Sequence, residues 1–141
     1  MPAEKITVAT EVPLSAERAW QVYTAPNEIT QWNFANDEWH CPKVRVDLQV
    51  GGQHSARMEA KDGSFGFDFE ATYIEVDAPH ALTMVLGDGR QCRTTFRPTN
   101  TGTRVETTFD AEAENSVEMQ RAGWQAILSN YQRRAEESAA T

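Results

Sequence analysis

The spacing of hydrophobic positions changes period three times along this chain. Residues 5–12 alternate apolar and polar, with Ile6, Val8 and Val12 among the apolar members, and this predicts a half-buried strand. Pro13-Leu14-Ser15 then opens a helix. Ser15 can cap it by accepting a backbone N–H, and Ala19, Trp20 and Tyr23 supply an apolar stripe. Pro26-Asn27-Glu28 stops that helix, and Ile29 and Trp32 predict a short second one. Residues 33–43 read as irregular and contain Phe34, Trp39 and the pair His40-Cys41.

From Val44 the period becomes two. Val44, Val46, Leu48 and Val50 alternate with polar residues up to the turn or bulge at Gly51-Gly52. A strand through His54, Ala56 and Met58 follows in the phase of Val50, and Asp62-Gly63 marks a hairpin. Phe65, Phe67, Phe69, Ala71 and Tyr73 then fall on one face of a long strand. Turns at Ala78-Pro79-His80, Gly87-Asp88-Gly89 and Asn100-Thr101-Gly102 separate three more strands, carrying Leu82, Met84 and Leu86, then Cys92, Thr94 and Phe96, then Val105, Thr107 and Phe109. Connections this short join only antiparallel neighbours, so the pattern is a meander of about seven strands. Residues 115–135 return to helical spacing through Val117, Trp124, Ile127, Leu128 and Tyr131, with Asn115 or Ser116 as the cap. The fold class is therefore α+β: a curved antiparallel sheet, two short helices after the first strand, and a long C-terminal helix. One sheet face must be covered, and the long helix is the element able to cover it.

Composition narrows the class. The chain of 141 residues has 40% hydrophobic and 24% charged residues, as an ordinary globular domain does. It reads as one domain over 1–141, with a core over about 5–135 and a frayed tail over about 136–141. A net charge of −8 argues against a nucleic-acid partner. No apolar run approaches the ~20 residues of a membrane span, and the opening Met-Pro-Ala-Glu-Lys is not that of a signal peptide. Two cysteines, Cys41 and Cys92, imply no disulfide framework, so a cytoplasmic location is expected.

Several motifs, in order, carry a family resemblance: Ala19-Trp20, Thr24-Ala25-Pro26-Asn27-Glu28 and Trp32; Asp47-Leu48-Gln49-Val50-Gly51-Gly52; Met58 followed by Asp62-Gly63; Tyr73-Ile74-Glu75-Val76-Asp77-Ala78-Pro79 with Leu82; Gly102-Thr103; and Gly123-Trp124. Over roughly residues 6–131 the chain resembles the START-like, helix-grip superfamily (SRPBCC). Within it, the chain is similar to the group related to the activator of heat-shock-protein-ninety ATPase. The resemblance implies a sheet wrapped around the last helix and a hydrophobic or aromatic small molecule held between them. Three positions depart from the family pattern: Gln49 stands where Arg is usual, His54 where an aromatic is common, and Ala71 where Gly is common. Nothing in the chain corresponds to the activators' further N-terminal domain that grips the chaperone, so chaperone activation is not implied.

The binding candidates are Trp32, Trp39, His54, Met58, Phe67, Phe69, Tyr73, Met84, Phe96, Met119, Gly123 and Trp124. Each alone also reads as plain core. Gly123 sits inside a helix at a cost of ~1 kcal/mol against Ala, which calls for a packing or space-making reason. His54, if its strand phase holds, faces inward as a neutral imidazole able to bond a ligand hydroxyl or carbonyl. The plainer alternative is a histidine bonded to a backbone carbonyl. With the inward phase, His54→Phe restores the residue type common in the resembling family and is expected to leave stability roughly unchanged. His40 and Cys41 are adjacent in an extended segment and point apart, so they make no dyad. No metal-ligand spacing, phosphate loop, nucleophile elbow or dinucleotide fingerprint is present, and no cofactor or catalytic residue is assigned.

Three functions stay open: a carrier of a hydrophobic or aromatic small molecule, which is favoured; a cyclase, isomerase or hydrolase using His54 and Tyr73; and a protein-interaction or chaperone-accessory module. The oligomeric state reads as monomer or homodimer. A cavity where His54 and Tyr73 converge points to the enzyme, a closed dry cavity to the carrier, and a large exposed apolar patch to the interaction module.

Overall fold

The computed structural model describes residues 4–139. The element order is β1 (Lys5–Val12), α1 (Ala16–Thr24), α2 (Pro26–Ile29), β2 (Trp39–Val46), β3 (Gln53–Ala60), β4 (Gly66–Asp77), β5 (Ala81–Leu86), β6 (Gln91–Pro98), β7 (Thr103–Asp110) and α3 (Val117–Ala139). The seven strands form one antiparallel sheet in the order β1-β7-β6-β5-β4-β3-β2. The five hairpin-linked pairs are sequence neighbours; β1 instead crosses to the far side of β7, with Ile6 opposite Phe109 and Thr10 opposite Val105. That crossing leaves α1 and α2 in the connection from β1 to β2, at opposite edges of the sheet.

The helices start where local chemistry allows. Ser15 Oγ accepts from the Arg18 N–H at 3.2 Å, and Pro26, which has no N–H to lose, stands at the head of α2. Ser116 Oγ accepts from the Met119 N–H at 3.1 Å, so Ser116 is the residue that caps α3. The last helix continues through Ala139, beyond the point where fraying was expected; residues 140–141 of that expected tail, like residues 1–3, lie outside the described residues.

Two expectations are corrected in β2. The segment read as irregular is already strand from Trp39, and the alternation read as running to Val50 ends at Val46. A bulge explains the first. His40 pairs with Glu59 and Lys43 with Arg57, so β2 carries one residue more than β3 between those pairs. The extra residue keeps Cys41 and then Val44 and Val46 on the covered side, at a spacing that no uninterrupted strand would give. Beyond Val46, residues 47–52 turn back on themselves and leave Val50 67% exposed.

That turn sets the register of the site. The Gly52 N–H donates to Gln49 O at 2.8 Å, the Gly51 N–H donates to Tyr73 O at 2.8 Å, and the Tyr73 N–H returns to Gly52 O at 2.9 Å. A Cβ on Gly52 would lie 2.0 Å from Asp47 O, so only glycine lets the chain close here.

The core fills the space between the sheet and the helices. Trp20, Phe96, Tyr23, Trp32 and Tyr131 meet edge to face or tilted, with ring centroids 5.2–5.4 Å apart. The Tyr131 hydroxyl donates to Ala19 O at 2.8 Å, and Gln125 Nε2 donates to Ala9 O at 3.2 Å, tying α3 to α1 and β1. Glu28, nearly buried, takes Arg134 Nε at 2.8 Å and Arg18 at 3.4 Å, so one carboxylate joins all three helices. On the outer face Arg57 pairs with Glu59 and Asp68, and Arg93 with Glu75.

Candidate functional site

A cavity of about 250 Å³ lies between α3 and the covered face of the sheet. Val8, His54, Met58, Phe67, Phe69, Tyr73, Leu82, Met84, Cys92 and Thr107 line it from the strands. Tyr23, Thr24, Ile29, Trp32 and Asn33 roof it, and Trp124, Ile127 and Leu128 of α3 close the remaining side. The wall is therefore hydrocarbon, ring faces and sulfur, with few polar atoms. The Trp32 N–H is spent on Val22 O at 2.8 Å and the Thr24 hydroxyl on Trp20 O at 2.7 Å. Tyr23 Oη is 3.1 Å from Thr94 Oγ1, which is itself 2.9 Å from Thr107 Oγ1. Phe67 both lines the cavity and is 43% exposed, so it stands at the mouth.

Beside the Asn33 amide, whose Nδ2 faces Met58 Sδ at 3.6 Å and Cys41 Sγ at 3.8 Å, the main polar feature of the wall is a pair on adjacent strands. His54 lies opposite Ala71, which puts Tyr73 two residues along on the same face, within diagonal reach. His54 Nδ1 and Tyr73 Oη are hydrogen-bonded at 2.9 Å. The imidazole also stands edge-on to Phe69, 5.9 Å between centroids. Burial without a neighbouring charge pushes the His54 pKa down from 6.5 to about 4, so the ring is neutral near pH 7. Burial likewise pushes the Tyr73 hydroxyl well above its ordinary value, with Tyr23 adding to the effect. His54 Nε2 has no hydrogen-bond partner among the described residues. Since every fully enclosed side-chain nitrogen or oxygen there does have one, Nε2 keeps accessible surface, although His54 as a whole is 8% exposed.

Eight sequence candidates come together here: Trp32, His54, Met58, Phe67, Phe69, Tyr73, Met84 and Trp124. Four do not line the cavity. Phe96 is core, packed behind Tyr23 and Trp20. Trp39 packs against Phe65 and Phe67 outside the mouth, with centroids 5.9 and 6.2 Å away. Met119 points outward from the first turn of α3 and is 64% exposed. Gly123 has open space where a Cβ would go, so no close packing against a neighbour requires glycine there. The histidine bond goes to a phenol and not to a backbone carbonyl, so His54→Phe would strand the Tyr73 hydroxyl; the expectation of unchanged stability is corrected accordingly.

Sequence reasoning missed several wall residues. Tyr23, Ile127 and Leu128 already stood in the helix stripes, and Val8 and Leu82 in strand phase, so period placed them inside but could not separate wall from packed core. Thr107 stood in strand phase with Val105 and Phe109, whereas Thr24 and Asn33 gave no signal, because polar residues beside a helix end carry none in the pattern. Cys92 and Cys41 are buried thiols in separate clusters, on strands four places apart in the sheet. Burial pushes the Cys92 thiol up to about 12, so it is protonated and serves as apolar wall. No group of three potential metal ligands occurs among the described residues. Nor, among them, is any helix long and apolar enough to cross a membrane.

Residues 13–135 match the family model of the Activator of Hsp90 ATPase homolog 1-like protein. The chain belongs to this family. An AHSA1-like protein from Aeromonas hydrophila, solved in solution, is 42% identical with a TM-score of 0.90, over 97% of this chain and 94% of that one. A protein from Cytophaga hutchinsonii is 38% identical with a TM-score of 0.82, over 96% and 94% of the two chains. The same fold recurs in a Nitrosomonas europaea protein at 17% identity and a TM-score of 0.82, over 97% of each chain. No curated protein matches the chain at a significant level. The START-like architecture of this AHSA1-like domain, a seven-stranded sheet folded about its last helix, is thus shared with structures of very different sequence.

Proposed function

We infer that this AHSA1-like domain binds a small, uncharged, apolar or aromatic molecule in the cavity between α3 and the sheet. One observation carries the reading: an interior space walled by rings, aliphatic chains and sulfur, opening at Phe67 and holding few polar groups, chiefly the His54–Tyr73 pair and the Asn33 amide. Filling such a space removes apolar surface from water on both partners, at roughly 25 cal/mol per Å² before the costs of association. The volume of about 250 Å³ lies just below the ~300–1,000 Å³ of ordinary ligand clefts, so the guest is small, of one or two fused rings.

The convergence of His54 and Tyr73 is the feature that an enzyme would use. Their chemistry argues for holding a ligand instead. A base whose conjugate acid has a pKa near 4 takes up few protons at neutral pH, and a phenol pushed upward releases few. The pair suits a fixed hydrogen bond better than proton transfer. The exposed Phe65 and Phe67, with half-buried Trp39 outside the mouth, are a small cluster and fit a rim better than a docking face.

The test is a titration of isotope-labelled protein with naphthalene, followed by amide and methyl shifts. Perturbations confined to residues such as Met58, Met84, Ile127 and Leu128 are expected, with a change in the fluorescence of Trp32 and Trp124. Saturating naphthalene that leaves these groups unmoved would remove the binding reading.

A further inference from the structure

We propose that the cavity selects an uncharged ligand carrying a hydrogen-bond-accepting oxygen, such as a ketone, quinone or ether, because His54 presents Nε2–H as a donor. This rests on the binding reading above and specifies its ligand.

A neutral imidazole carries one proton, on Nδ1 or on Nε2, and the other nitrogen accepts. His54 Nδ1 is bonded to Tyr73 Oη at 2.9 Å. If Nδ1 held the proton, it would donate to Tyr73 Oη, and the phenol proton would then need an acceptor of its own. None exists among the described residues, and Tyr73 is 2% exposed. The phenol proton and the Nε2 lone pair would then both be left unpaired at the cavity wall. If Tyr73 donates to Nδ1 instead, both atoms are satisfied and the imidazole proton must sit on Nε2. The phenol therefore fixes the tautomer.

Nε2 is the atom without a partner, on a residue 8% exposed that lines the cavity. Its proton meets whatever occupies that space. A hydrocarbon guest would cover the donor and leave it unpaired, whereas an acceptor oxygen would satisfy it. A guest that offers only an N–H would set donor against donor. A carboxylate would bring a full charge into a wall of rings and sulfur whose neutral donors, His54 Nε2–H and the Asn33 amide, do not offset its lost hydration. The preference is thus for a polar but uncharged oxygen on an otherwise apolar skeleton.

The experiment compares two probes of similar shape, 2-acetonaphthone and 2-isopropylnaphthalene, by NMR titration against wild type and His54→Phe. Wild type is expected to bind the ketone about tenfold more tightly than the hydrocarbon, and His54→Phe to bind the two within about twofold of each other. Long-range nitrogen–proton correlation on the ligand-free wild type is expected to show His54 with Nε2 protonated and Nδ1 bare. That measurement needs no variant, so it stands even if His54→Phe folds poorly. Equal binding of both probes by wild type overturns the donor assignment and leaves the cavity reading intact, as does a proton found on Nδ1. Failure of both probes to bind overturns the cavity reading itself.

Discussion

Acid should destabilise this protein through His54. Burial lowers the folded-state pKa of His54 to about 4 from 6.5, while in the unfolded chain the imidazole is solvated and keeps the higher value. The unfolded state therefore takes up the proton first. Stability is fully present above about pH 6.5 and is lost as the pH falls through about 4. The whole effect, a shift of about 2.5 pKa units at ~1.36 kcal/mol each, is about 3 kcal/mol. Between pH 7 and pH 5 alone it amounts to about 2 kcal/mol, a large share of a typical ~5–15 kcal/mol. Urea unfolding at half-unit pH steps, in wild type and His54→Phe, isolates the histidine because every carboxylate is common to both. The variant should start lower by ~1–3 kcal/mol, since the Tyr73 hydroxyl loses its partner, but this offset is independent of pH over the window. The wild-type curve should then fall toward the variant's as the pH drops from 7 to 5. Parallel curves would refute the reasoning: His54 would then titrate in the folded protein as it does in water, and the cavity around it would be wet.

Gly52→Ala should cost at least ~1–3 kcal/mol in urea unfolding, because its Cβ would stand 2.0 Å from Asp47 O and the turn holding the Tyr73 backbone must open; a near-wild-type midpoint would show that this turn does not set the register. Gly123→Ala should stabilise by ~0.5–1 kcal/mol, since the new methyl meets nothing within 4 Å and helix propensity alone changes; a loss of stability would mean that the helix needs glycine for a reason absent from its contacts.

How much of this was legible in the chain differs between elements and site. Period two and period 3.6 are local properties, fixed by the geometry of a pleat and of a helical turn, and they marked β1, α1, β4 to β7 and α3 with the correct inward faces. The turn residues at 62–63, 87–89 and 100–102 fell where the hairpins are, because glycine and asparagine report backbone conformation directly. The motifs that carry the family resemblance are spread over turns, strands and helix interiors alike, from Ala19-Trp20 in α1 to Gly123-Trp124 in α3. Local pattern failed at β2, where a bulge is defined only by the partner strand that has one residue fewer. It failed again after Val46, where the chain leaves the sheet because of bonds to Tyr73, a residue far along the sequence.

The site belongs mostly to tertiary structure. That His54 faces inward follows from its strand phase with Ala56 and Met58, yet its partner follows from the register of β3 on β4. Wall and core share one composition: Phe69 borders the cavity while Phe96 is packed behind rings, and both are inward-facing aromatics on strands. Which of them meets empty space depends on how far the sheet curls from α3, a distance set by all the side chains between them at once. The sequence by itself determined which residues turn inward, because alternation and helical spacing need only near neighbours. Only the packed structure decided where the inward residues stop touching one another, and that gap is the cavity.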